Sequence, residues 1–316
     1  MTESSLTDVH EDGGIAGYDP EFIDVDGTRT RYYDLGDPNK DVLVLLHGGN
    51  WGGLSSANVW SSSFDALRQQ FRVVAFDRIG CGMTDNPESA DAFTYGTEVE
   101  HALAFLEELG VDRCHVAGSS RGAGLGARLA VEDPDRFRTL VLINSATFGP
   151  PAGDEAHRYE RVFERVAEGI DETDPAYTER RYTQYAHETE NIDAEFCRTN
   201  AYMRRQPKAG RTAEVLDEEG QARWEETMHE HMRETHDRIK DGELTIPTLY
   251  VFGRNDLTVP VEMAMGAYDM IAQENSKVRM KVVNDCGHLI YREYPEEFAN
   301  TVANFVHEWH GAAKES

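Results

Sequence analysis

The segment 114–124, CHVAGSSRGAG, places a serine at the centre of a Gly-x-Ser-x-Gly pattern formed by Gly118, Ser120 and Gly122. An apolar run ends at Gly118 and a stretch of helical composition begins at Arg121, so the pattern predicts a strand, a tight turn and a helix. Such a turn crowds the backbone and favours residues without a Cβ atom, which leaves the central hydroxyl projecting from the strand end. Similar patterns also occur in turns that have no catalytic role, so Ser120 alone does not define an active site.

Two later residues could activate this serine. Asp256, in GRNDLTVP, follows one apolar run, and His288, in DCGHLIY, follows the next. The carboxyl ends of parallel strands meet at one edge of a sheet, where open α/β sheets assemble their sites. A serine hydroxyl becomes a good nucleophile when a histidine takes its proton and a carboxylate orients that histidine. The order Ser120, Asp256, His288 therefore predicts a catalytic triad, and Asn144, an amide at an earlier strand end, cannot replace the acid.

A glycine-rich turn, LLHGGNWGG at 45–53, follows another apolar run. The backbone N–H of Gly49, together with that of Arg121 after the serine, could bind a developing oxyanion, and such donors lower a barrier by ~3 kcal/mol each. A plain loop is the alternative interpretation of these glycines. Asn50 and Trp51 are predicted to line the substrate pocket, although an aromatic residue at a strand end is as often part of the core.

The rest of the chain indicates an α/β fold with a mostly parallel sheet. Continuously apolar runs typical of strands buried on both faces lie at 41–49, 71–80, 114–120, 137–146, 246–256 and 278–288. Helix-like stretches lie at 58–70, 97–109, 121–133, 261–273 and 295–310. Asp26-Gly27 predicts an N-terminal antiparallel hairpin. We expect a core domain at 20–149 and 242–316, an inserted helical cap at 150–241 and a mobile tail at 1–19.

Composition excludes several classes of function. The chain has 316 residues and a formal net charge of −27, which argues against nucleic-acid binding because that requires basic surface. No apolar run is long enough to span a membrane, the N-terminus does not resemble a signal peptide, and the four cysteines form no CxxC pair, so a cytoplasmic protein without a metal site is expected. Only six of the 31 basic residues are lysines. Acidity combined with arginine in place of lysine is typical of adaptation to high salt, although a high-GC genome also favours arginine and the charge could simply serve solubility.

The motifs HGG, FDRIGCGMTDNP, GSSRG, GRNDLTVP and CGHLIYREYPEEF occur in this order. With them the chain, from Phe22 to its C-terminal helix, resembles α/β-hydrolase-fold enzymes. Within that superfamily it most resembles the carbon–carbon bond hydrolases of meta-cleavage products, on DRIGCGMTDNP, GRNDLTVP and the segment CRTNAYMRRQP. The resemblance implies that a 2-hydroxy-6-oxo-dienoate is ketonised and then cleaved by Ser120 and water, without metal or organic cofactor.

The same resemblance implies that Arg198 binds the substrate carboxylate, although a solvated or ion-paired arginine is a competing interpretation. Ser119 and Leu289 stand where family members acting on aryl-substituted dienes often have Asn and Trp, and both are predicted to contact the substrate. A carboxylesterase or lactonase needs the same triad and is the main alternative, with a non-catalytic ligand-binding relative as a more remote one. The expected partner is a small-molecule substrate; a homodimer or higher homo-oligomer is left open.

Overall fold

The computed structural model describes residues 9–49, 51, 55–150 and 168–310, and its centre is one eight-stranded sheet. The strands are β1 (Glu21–Val25), β2 (Thr28–Leu35), β3 (Val42–Leu46), β4 (Arg72–Phe76), β5 (Cys114–Ser119), β6 (Phe137–Ile143), β7 (Thr248–Gly253) and β8 (Val278–Val283). They lie in the order β1-β2-β4-β3-β5-β6-β7-β8. β2 is antiparallel to both β1 and β4, and all other neighbours are parallel, which confirms the predicted fold class.

The predicted hairpin consists of β1 and β2, which are joined by a two-residue turn of Asp26 and Gly27. Asp26 has φ 50° and Gly27 has φ 85°. Two consecutive central residues in the left-handed region are typical of a type I′ turn, whose twist matches that of the strands it joins.

The helices cover both faces of the sheet. They are α1 (Ser61–Arg68), α2 (Tyr95–Glu108), α3 (Arg121–Glu132), α4 (Pro175–Tyr185), α5 (Ala194–Arg204), α6 (Pro207–Val215), α7 (Glu218–Lys240), α8 (Val261–Ala272), α9 (Ile290–Glu293) and α10 (Pro295–His310). Successive side chains of a strand point to opposite faces. In β3, Val44 and Leu46 join one apolar cluster with α2, α3 and α8, whereas Leu43 and Leu45 join a second cluster with α1 and α10.

Four helices, α4 to α7, lie between β6 and β7 within the stretch predicted as a cap, and we call them the cap helices. Three of them begin at an aspartate whose side chain accepts a backbone N–H of the first turn: Asp174 from Ala176, Asp193 from Phe196 and Asp217 from Gly220. The helix α7 packs on α2 and α3. The domain limits themselves remain a prediction.

Residues 9–19, which the sequence assigned to a mobile tail, pack against the rest of the chain. The Gly13 carbonyl accepts hydrogen bonds from the side chains of Arg31 and Asn58, and Ile15 is buried. The Ala16 N–H donates to Glu195 of α5. A buried carbonyl needs donors, and here they come from the core.

Strand β8 differs from the expectation that all the parallel strands are buried on both faces. It lies at the edge of the sheet, and its Arg279 and Lys281 are paired with Glu308 and Glu297 of α10. Charged side chains on an edge strand oppose pairing with other chains. None of the helices described is long and apolar enough to cross a membrane.

Candidate active site

Ser120 occupies the strained turn that the sequence pattern predicts. Strand β5 ends at Ser119, helix α3 begins at Arg121, and Ser120 between them has φ 54° and ψ −120°. A Cβ atom at Gly118 would lie 2.1 Å from the Gly122 carbonyl oxygen, and one at Gly122 would lie 2.2 Å from that of Leu46. Both contacts are impossible for a larger residue, so the two glycines allow the turn to form. Non-glycine residues held in such a sparsely populated φ/ψ region cluster at functional sites.

The glycine-rich turn after β3 lies directly beside this serine. A Cβ atom at Gly48 would be 2.8 Å from the Cβ atom of Ser120. Gly49 has φ 78°, a conformation that favours glycine. The N–H of Arg121 belongs to the first turn of α3, where backbone N–H groups have no intrahelical acceptor. This arrangement is compatible with an oxyanion hole formed by Gly49 and Arg121, which remains a prediction.

His288 and Asp256 are in direct contact. The Nδ1 atom of His288 lies 2.7 Å from Oδ2 of Asp256, whose side chain is fully buried. Because a carboxylate only accepts, Nδ1–H donates and Nε2 is left to accept a proton. The other Asp256 oxygen, Oδ1, accepts the backbone N–H and the hydroxyl of Thr258, both at 2.7 Å. Thr258 therefore orients the acid, a role that its place two residues after Asp256 does not reveal by itself.

Asn144, excluded as an acid by its amide, joins the loops of the site. It is fully buried with φ 41°. Its Nδ2 donates to the Gly287 carbonyl at 2.7 Å, and its Oδ1 accepts the Gly253 N–H at 2.9 Å. The neighbouring Ile143 carbonyl accepts the Ser120 N–H. One amide thus links the end of β6 to the segments that precede Asp256 and His288.

A buried carboxylate, Glu293, was missed by sequence reasoning. It accepts the N–H groups on both sides of His288, those of Gly287 and Leu289. It also accepts two N–H groups from the segment after α4, those of His187 and Glu188. The N–H of His288 itself donates to the Tyr185 carbonyl at 2.7 Å. The loop that carries His288 is therefore hydrogen-bonded to the segment at the end of α4. In the sequence, only the position of a glutamate five residues after the histidine could have indicated this role.

The structure buries three of the predicted substrate-binding residues. The Ser119 hydroxyl donates to the Tyr291 hydroxyl at 3.3 Å, and Leu289 packs in the same apolar cluster as Tyr291. Trp51 packs on Phe93 with ring centroids 4.6 Å apart, which corresponds to the core-packing alternative.

The remaining predicted pocket residues are placed as follows. Arg198 lies half-buried on α5 between the buried residues Cys197 and Thr199. Asn50 lies outside the described residues. Substrate contact by any of these residues remains a prediction.

The site is of the α/β-hydrolase type. It combines a serine in a strained turn after β5 with a histidine–aspartate pair after β7 and β8, at the edge of a sheet with the strand order given above. The chain belongs to the alpha/beta hydrolase fold family, whose model matches residues 41–295. The resemblance inferred from the motifs is thereby confirmed for the fold family.

Its relatives include hydrolases of meta-cleavage products. A 2-hydroxymuconate semialdehyde hydrolase of Pseudomonas sp. is 26% identical over 297 residues, which cover 91% of this chain and 93% of that protein. A 2-hydroxy-6-oxo-6-(2'-aminophenyl)hexa-2,4-dienoic acid hydrolase of Metapseudomonas resinovorans is 26% identical, with 92% of each chain covered. The solved structure of 2-hydroxy-6-oxo-6-phenylhexa-2,4-dienoate hydrolase from Rhodococcus sp. matches with a TM-score of 0.72 at 21% identity, covering 91% of this chain and 98% of that one. At that identity the structural match shows the fold alone.

Proposed function

We propose that this chain is a serine-dependent hydrolase that cleaves a carbon–carbon bond in a 2-hydroxy-6-oxo-dienoate. The observation that carries the proposal is the 2.7 Å contact between His288 and Asp256, in a chain whose Ser120 occupies the strained turn. Two relatives that are 26% identical over nine-tenths of the chain are hydrolases named for 2-hydroxymuconate semialdehyde and for a 2-hydroxy-6-oxo-dienoate, which supports this substrate class.

The chemistry follows from the substrate and the three residues. Ketonisation moves the proton of the 2-hydroxyl to C5, which leaves a carbonyl at C6 beside a saturated carbon. Ser120 adds to C6 while His288 takes the serine proton, and the oxygen of C6 becomes an oxyanion. The C5–C6 bond then breaks, its electron pair and a proton go to the dienoate fragment, and water releases the acyl group from Ser120.

Hydrolysis of an ester or a lactone is the second candidate function. The same triad serves it, and the observation that favours it is the placement of Ser119. Hydrolases of aryl-substituted dienes often have Asn at this position, whereas the Ser119 hydroxyl is buried and donates to Tyr291.

The test compares the two functions in one set of proteins. Loss of the visible absorbance of dienoates and release of p-nitrophenol from p-nitrophenyl acetate are followed for the wild type, Ser120→Ala and Ser119→Ala. Ser120→Ala should abolish turnover, whereas Ser119→Ala should keep part of it. Equal loss in both variants would contradict the assignment of the nucleophile, and ester cleavage without any loss of dienoate absorbance would favour the esterase.

Arg198→Ala addresses the substrate carboxylate. It should raise KM for the dienoate and leave the neutral ester almost unaffected, because a guanidinium fork matches a carboxylate. Arg205→Ala is the matched control, since Arg205 directly follows the same helix and its side chain donates to the Thr173 carbonyl in an exposed contact. Equal loss on both substrates would indicate that Arg198 only maintains the fold.

A further inference from the structure

A buried arginine holds the glycine-rich turn beside Ser120. Arg78, which follows β4, is 1% exposed. Its Nη2 donates to the carbonyl oxygens of Gly48 and Gly49, at 3.0 and 2.5 Å. The carbonyls of Gly48 and Gly49 therefore point at one guanidinium.

This contact fixes where the Gly49 N–H points. In a trans peptide unit, the C=O and the following N–H point in opposite directions, and the described chain has no cis peptide bond. With the Gly48 carbonyl held toward Arg78, the Gly49 N–H is directed away from it.

The imidazole of His47 also restrains the Gly48 carbonyl. Its Nε2 accepts the backbone N–H of Arg78 at 3.0 Å, so its Nδ1 carries the proton and donates to the Gly48 carbonyl at 2.8 Å. Burial lowers the pKa of His47 to about 3, which keeps this ring neutral.

The position of Arg78 depends in turn on a cap helix. The Nη1 of Arg78 pairs with the buried carboxylate of Glu98, which also accepts the indole N–H of Trp51 and, at 3.1 Å, that of Trp224 in α7. The same Trp224 also contacts the residue that carries the second predicted oxyanion donor. The guanidinium carbon of Arg121, the residue after Ser120, lies 4.3 Å from the ring centroid of Trp224.

We infer that Arg78 and Trp224 are positioning residues of the oxyanion hole, and that they couple the position of helix α7 to the stabilisation of the transition state. One indole reaches the Gly48–Gly49 turn through Glu98 and Arg78, and its ring packs against Arg121. A displacement of α7 therefore disturbs both predicted donors at once. The inference rests on the proposed serine mechanism but not on the identity of the bond that is cleaved.

The test uses substitutions that keep the buried charges. Trp224→Phe removes the N–H donated to Glu98 and keeps a ring. Arg78→Lys keeps a cation but replaces the two guanidinium nitrogens, one on Glu98 and the other on the two carbonyls, by a single nitrogen. Trp309→Phe in α10 is the matched control, because its indole N–H has no hydrogen-bond partner among the described residues. Each protein is assayed with p-nitrophenyl acetate and with phenylboronic acid, which forms a tetrahedral adduct on a reactive serine.

We expect kcat to fall about tenfold in Trp224→Phe and about 10²-fold in Arg78→Lys, with KM within twofold, since loss of one oxyanion donor costs 10²–10³-fold. Phenylboronic acid should bind more weakly by similar factors, which a residue that only stabilises the fold would not cause. Trp309→Phe should behave as the wild type. If Arg78→Lys does not fold, Trp224→Phe decides the question alone.

An unchanged kcat in Trp224→Phe, or a loss confined to KM, would overturn the inference. Failure of the proposed function is seen elsewhere, in a wild type whose turnover is absent or does not require Ser120. That result would remove the basis of this inference as well, whereas an active wild type with unaffected variants would refute the inference alone.

Discussion

Replacing Glu293 by glutamine tests how the histidine loop is held. The change keeps the shape of the side chain and removes one of its two acceptor oxygens together with the charge. In the native chain, Oε1 accepts the N–H groups of Gly287 and Leu289, and Oε2 accepts those of Gly287, His187 and Glu188. The amide of a glutamine must therefore point its NH₂ group at backbone donors in either orientation.

The magnitude follows from the less costly orientation. If the NH₂ group replaces Oε1, only the buried Leu289 N–H loses its acceptor; if it replaces Oε2, the N–H groups of both His187 and Glu188 do. A buried donor left without a partner costs about 1–3 kcal/mol, and the remaining bonds lose the extra strength of a charged acceptor. We expect the free energy of unfolding to fall by about 2–4 kcal/mol, which for a chain of 316 residues corresponds to a melting temperature lower by roughly 3–6 °C.

The assay combines thermal unfolding with p-nitrophenyl ester hydrolysis. Because the lost bond adjoins His288, kcat should fall roughly tenfold, as small displacements of a catalytic group are costly. Glu297→Gln is the control, since this half-exposed carboxylate pairs with Lys281 on the edge strand and should matter by less than about 1 kcal/mol. A melting temperature of Glu293→Gln equal to that of the control would refute the reasoning.

Three further predictions concern the acid, pH and salt. Asp256→Asn should lower kcat by roughly 10⁴, as in other triads where the amide selects the wrong tautomer, and a variant within tenfold of the wild type would point to another acid. Burial lowers the pKa of His115 to about 3 and that of His101 to about 4, below the usual 6.5, so the unfolded chain binds more protons and stability present above pH 6.5 is lost as the pH falls toward 4. His115→Gln should reduce this slope by about 1.4 kcal/mol per pH unit in denaturant titrations. If the charge of −27 is a salt adaptation, the melting temperature should rise from 0.1 to about 2 M KCl, and a flat curve would leave only the solubility interpretation.

The parts of the site that sequence could predict are those determined by local backbone chemistry. Gly118 and Gly122 flank Ser120 because larger residues would collide with carbonyl oxygens, so their spacing carries the turn. The apolar runs contain the parallel strands but extend a few residues past their ends, and Asp256 and His288 follow the last residues of β7 and β8 at one edge of the sheet. The clash at Gly118 involves a neighbour four residues away, whereas the clash at Gly122 is with Leu46 of β3, so only the first is local in sequence.

The parts that sequence could not predict are long-range polar contacts. Glu98 bonds Arg78 and Trp224, which lie 20 and 126 residues away. Its helical spacing from the buried Tyr95, Ala102 and Phe105 places it on the inner face of α2, but it does not indicate these two partners. Trp51 was open to two interpretations, and only the position of Glu98 shows where its indole points. The sequence pattern specifies which element a residue belongs to but not which distant group faces it.

The location of these contacts has a physical reason. The loops at the carboxyl ends of the strands leave the sheet, so their backbone groups lose the partners that a strand provides, and residues such as His47, Cys286 and His288 are buried there. The N–H of His288 finds the Tyr185 carbonyl, and the Gly49 carbonyl finds Arg78, itself paired with Glu98 and so with Trp224. Helices that pack on such loops must provide or position hydrogen-bond partners for them, because a buried polar group without a partner destabilises the fold by its desolvation free energy. The polar ties between cap and loops therefore follow from enclosing the site, and they make its geometry depend on helices that carry none of the predicted triad.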